Sequence, residues 1–200
     1  MTGGESNLSV WLRAVKERGR EPCGVGLISS KKARLATMTE TTLTPSRLWK
    51  QMTLDQRTRA ARAFWEDPEA ADDQVQAAFL IAQQKKFRAK TVIGLDLDRK
   101  AMHLASLGAL PDAMAARALI VYHLAEQRPM MGAFLDGLGI AHENGLIQED
   151  EVKPDEAKIG PAAAQLAQQF PPDDVRIYLN TLLSQDPGTW GGLQGLPQVI

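Results

Sequence analysis

Two acids stand two residues apart behind an apolar run in VIGLDLD, residues 92–98. That spacing can bring a nucleophile and a general acid to a phosphoryl group, with Mg²⁺ bridging carboxylate and substrate. Arg99 and Lys100 follow, where such a loop needs a small or hydroxyl residue, so Asp96 or Asp98 reads instead as a helix cap. GVGLISSKK, residues 24–32, lacks the glycine directly before Lys-Ser/Thr that a phosphate-cradling loop requires. His103, His123 and His142 could meet around a metal with Glu143 or Asp136 as a fourth ligand, but His142-Glu143 lacks a second histidine at metalloprotease spacing. No serine sits on a Gly-x-Ser-x-Gly turn. The expectation is therefore no catalytic residue, no metal and no cofactor.

The most distinctive polar constellation lies in RPMMGAFLDGLGIAHENGLI, residues 128–147. Its glycines suggest close packing followed by a shaped loop with Asn144-Gly145 as the turn. Arg128, Asp136, His142, Glu143 and Asn144 are the candidate binding residues, because polar groups on a loop held by a rigid scaffold are where recognition resides. The loop is expected to serve contacts more than stability. A helix-turn-helix reading of this segment fails on charge, since Gln148-Glu149-Asp150-Glu151 would face phosphates with acids.

The elements that must position these residues are helices. PDAMAARALIVYHLAEQ, residues 111–127, is apolar on every face, interrupted between 113 and 125 only by Arg117 and His123. With no face left for water, it reads as a central helix enclosed by others. It is too short to cross a bilayer, which takes about 17–25 apolar residues. Arg117 must then be paired, because an isolated buried charge is severely penalised. Asp112 and Asp136 are the carboxylates within expected reach, and Arg117–Asp136 is the structural ion pair expected.

Further helix starts are read at Thr44-Pro45, at the capping box Thr53/Gln56, at Asp67-Pro68, at Asp96 or Asp98, and at Pro129, Pro161 and Pro172. The helix after Asp67 is expected to bury Val75, Ala78, Phe79 and Ala82, with Ile81 widening the stripe. Only TVIGL resembles a strand. The fold class is all-α: a compact bundle of seven or eight helices around the buried helix 111–127.

Three segments follow from composition: a flexible basic arm at 1–37, with Met38 as an alternative start, a helical domain at 38–186, and a flexible tail at 187–200 with Trp190 as its anchor. The net charge of −1 conceals a gradient, with 12 Lys/Arg against 5 Asp/Glu in residues 1–62 and 4 against 11 in residues 126–200. A single cysteine, Cys23, excludes an intramolecular disulfide and fits a reducing compartment, so a cytoplasmic, non-membrane protein is expected. The leading reading is a non-enzymatic module that binds a protein. The alternatives are a nucleic-acid-associated protein using the basic N-terminal third, and a helical enzyme with a histidine/carboxylate site.

Overall fold

Hydroxyl and carboxylate caps set half of the helix starts among the described residues. The computed structural model describes residues 44–148 and 152–199; the arm expected at 1–37 lies outside them. Thr44 caps α1 (Pro45–Gln51), with Pro45 at the first helical position where its missing N–H costs nothing. Thr53 and Gln56 close a reciprocal capping box on α2 (Leu54–Glu66), at 3.2 and 2.9 Å. Asp67 caps a 3₁₀ turn (Pro68–Ala70) that runs into α3 (Ala71–Lys85). Asp96 caps α5 (Leu97–Ala105) by accepting from the Arg99 N–H at 2.8 Å, while Asp98 pairs with Arg62.

The central helix is α6 (Asp112–Glu126). Ten successive residues, Met114 to His123, are buried, and the helix packs on α1, α2 and α9 (Pro172–Gln185). It ends where expected: Gln127 forms the joint, and α7 (Arg128–Leu138) starts at once and closes on Gly139 with φ +72°.

Trp49, Phe64, Ile81, Leu104, Leu119 and Tyr122 fill the core on the N-terminal side of α6. On the other side, α7 packs on α8 (Glu156–Gln169) and α8 on α9. A chain of rings links the two sides: Tyr122 to His123, His123 to Tyr178, Tyr178 to Phe134 and Phe134 to Trp190, with centroids 5.3–5.9 Å apart.

The all-α class stands, with ten α-helices among the described residues against the seven or eight expected. One extra helix is TVIGL, which does not form a strand: α4 (Ala89–Ile93) buries Val92 and stops at Gly94. A lone strand in a helical surround would leave its backbone groups unpaired, whereas a helix satisfies its own. The other is α10 (Pro187–Trp190), continued by a 3₁₀ turn (Gly191–Leu193).

Residues 187–199 are therefore not a loose tail. They fold back onto α8 and α9, burying Trp190 and Leu193, with the Val199 carbonyl accepting from Asn180 at 3.0 Å. Trp190 is an anchor, as read. Its burial and a main-chain hydrogen bond hold a segment that has no apolar period of its own. The start of α8 also moves, from Pro161 to Glu156, with Asp155 as the cap. Gly160 lacks the Cβ that would crowd the proline ring, so Pro161 is tolerated inside the helix.

Candidate functional site

The 142–147 segment is a β-hairpin rather than a loop. β1 (His142–Glu143) pairs antiparallel with β2 (Leu146–Ile147) around Asn144 and Gly145, both at positive φ of 49° and 79°. Two positive φ values define the hairpin turn whose twist matches the strands, and Asn-Gly is the pair that adopts it most readily. The hairpin lies against the first turns of α7. A Cβ on Gly145 would stand 2.8 Å from the Arg128 carbonyl and 2.9 Å from the Met131 Cβ, and one on Gly132 would meet the His142 ring at 3.2 Å. The two glycines are the contact.

His142 is the pin of this contact. Its Nδ1 accepts from the Gly145 N–H at 3.2 Å, so Nε2 carries the proton donated to Asp136 Oδ1 at 3.1 Å. Both ring nitrogens are thus committed: Nε2 holds the proton, the single basic lone pair on Nδ1 is spent on the Gly145 N–H, and Asp136 orients the ring as a carboxylate does in catalytic dyads. The structure brings Asp136 and His142 together and leaves Glu143 and Asn144 exposed at the tip. Arg128 turns away: its Nε donates to the Leu124 carbonyl at 2.7 Å, closing the end of α6. His142, with its side chain 15% exposed, is hydrogen-bonded at both ring nitrogens.

Arg117 is enclosed and paired, but with neither expected partner. Nε donates to Asp67 Oδ2 at 3.0 Å, and Nη2 lies 2.8 Å from the same oxygen and 3.9 Å from Glu69 Oε2 without a second hydrogen bond. Asp67 Oδ1 meanwhile caps the 3₁₀ turn through the Glu69 N–H, and Gln74 Nε2 ties the carbonyls of Phe64, Trp65 and Asp67. Asp136 is engaged by His142, and Asp112 accepts from the Ser46 N–H at 2.9 Å. The Arg117–Asp136 pair does not exist because Asp67, 50 residues earlier, arrives at α6 through the α2–α3 corner.

His123 is buried with its Nε2 3.2 Å from the Thr181 hydroxyl, which itself donates to the Ile177 carbonyl. Its Nδ1 has no partner. Burial among aromatic rings pushes its pKa down to about 3, so the ring is neutral. His103 packs edge-on against Phe87. No group of three or more His, Cys, Asp or Glu among the described residues is placed to hold a metal ion.

One surface was missed. On α3 the buried residues are Ala77, Ala78, Ile81 and Ala82, while Val75 and Phe79 are 48% and 61% exposed. The expected inward stripe holds at Ala78, Ile81 and Ala82 and is corrected at Val75 and Phe79: α3 is turned so that Ala77 and Ala78 approach the core and these two larger residues face water. The alanine-rich arc was the available signal, since small residues permit the closer approach. Just beyond, Lys85, Lys86, Arg88 and Lys90 surround Phe87 on the surface. No described helix is long and apolar enough to cross a membrane. The chain matches no protein-family model, no curated protein and no solved structure.

Proposed function

We propose that this chain is a non-enzymatic helical module that binds a protein. The observation that carries this reading is the α3 face, where Val75 and Phe79 stand one turn apart in water while Ala77, Ala78, Ile81 and Ala82 take the buried side. Neighbouring large apolar groups on one exposed helix face are what helix-in-groove recognition uses. The rigid hairpin tip, with Glu143 and Asn144 outward and Asp136 beside it, is proposed as a second, polar contact.

A photo-crosslinking residue at position 79 of the full chain tests the α3 reading in native lysate. A discrete adduct at 79, absent when the same residue replaces exposed Asp55, is expected. Equal or diffuse labelling at both positions overturns the assignment.

One observation favours a nucleic-acid reading: the exposed bases 85, 86, 88 and 90 flank a half-exposed aromatic, Phe87. Bases on phosphates with an aromatic stacking platform is the pattern for single strands. That reading requires a mobility shift on single-stranded nucleic acid that weakens steeply with salt.

A further inference from the structure

We infer that the partner seated on the α3 face is a second copy of this chain, packed antiparallel about a two-fold axis at Phe79. The inference rests on the reading of that face as a contact surface. In a two-fold antiparallel helix pair centred on residue 79, each residue before the centre faces the residue equally far after it in the partner. Seven before is Asp72 and seven after is Lys86, so the acid of each copy meets the base of the other at both ends. Four before is Val75 and four after is Gln83, and Phe79 meets its own copy on the axis, where two rings can stack.

The five positions fall within about 40° of Phe79 on one face of the helix. A seven-residue step falls about 20° short of two turns, so Asp72, Phe79 and Lys86 succeed one another along the face about 10 Å apart. Asp72, Val75, Phe79, Gln83 and Lys86 are all exposed. Lys86 is the left-handed cap of α3, with φ 57°, and its four-carbon stem gives the ammonium the reach to cross. A parallel pairing would set Asp72 on Asp72 and Lys86 on Lys86, so charge selects the antiparallel register. One helix pair stands at the small end of specific interfaces, which bury about 1,200–2,000 Å² in total, so the dimer should exchange with monomer on dilution.

Light scattering over a dilution series of the purified full chain tests this directly. The mass is expected to climb from one chain toward two with concentration. Phe79→Asp, Asp72→Lys and Lys86→Asp should each hold the chain monomeric, and the combination Asp72→Lys with Lys86→Asp should restore the dimer. All three positions are exposed, and an unchanged helical circular dichroism signal would show that each variant folds.

A chain that stays monomeric at every concentration overturns the inference, as does a dimer indifferent to Phe79→Asp or a charge exchange without rescue. A monomer that still gives a discrete adduct at 79 in lysate would leave the interaction-module reading standing and remove only the second copy as its partner. Phe79→Asp that leaves the mass unchanged but exposes residues 1–43 to protease would assign the face to the chain's own N-terminal segment.

Discussion

Asp67 holds two loads with one carboxylate, and the corner between α2 and α3 depends on it. One oxygen caps the 3₁₀ turn and the other receives Arg117, whose side chain is only 10% exposed. Removing one partner of a buried pair costs up to about 3–5 kcal/mol, here tempered by Glu69, whose Oε2 stays 3.9 Å from the guanidinium. Asp67→Ala should therefore lower the unfolding free energy measured in urea by up to that amount, with a matching fall in the midpoint, and adding Arg117→Met should recover part of the loss. Equal midpoints for the single and double variants would show that the cap alone matters. His123 makes a second residue-scale prediction. Its folded pKa of about 3 lies below the ordinary value of 6.5, so the unfolded chain takes up the proton first as pH falls. Stability from this group is complete above pH 6.5 and falls by about 1.4 kcal/mol per unit from there toward pH 3. His123→Leu should flatten that slope in pH-dependent urea melts. That Arg117 needs a carboxylate was legible in its apolar surroundings. Which carboxylate was not, because the partner lies on another helix corner and no periodicity within α6 points to it.

At the scale of elements, the hairpin on α7 shows how far local chemistry reaches. Asn144-Gly145 announced a turn, and the positive φ at both residues is what that pair does best. The docking of the hairpin was not written locally, since it depends on Gly132 coming beneath His142. Gly145→Ala meets both a positive φ and a contact with the Arg128 carbonyl, so it should destabilise by about 2–3 kcal/mol. Asn144→Gly, at the exposed neighbour, should stay within about 0.5 kcal/mol. Similar losses for the two in thermal melts would mean that the hairpin does not rest on α7. Helix starts were legible for the same reason as the turn: a cap binds N–H groups within three residues of itself, as Thr53, Asp67 and Asp96 do. The facing of α3 was not. Its apolar residues spread over more than one side, and only the neighbouring helices select the alanine arc as the buried one.

For the whole molecule, the C-terminal segment is the test of what holds the far side of the bundle. Trp190 stacks near Phe134 and is buried, although nothing around it in sequence is periodic. Trp190→Ala should cost about 3–5 kcal/mol in urea unfolding while native helicity persists. A change under 1 kcal/mol would return residues 187–199 to the loose tail that their composition suggested. By itself the sequence determined the all-α class, the helix starts at Thr44, Thr53, Asp67, Asp96 and Pro172, the enclosed α6 and the need to neutralise Arg117. Those follow from interactions within a few residues and from the absence of a water-facing side. Only the tertiary structure decided that Asp67 answers Arg117, that His142 ties the hairpin to Asp136 on α7, that 187–199 packs, and that Val75 and Phe79 are left in water. Each of these depends on which surfaces meet across tens of residues. Burial is a property of neighbours in space, and a helical pattern names a face without naming what will cover it.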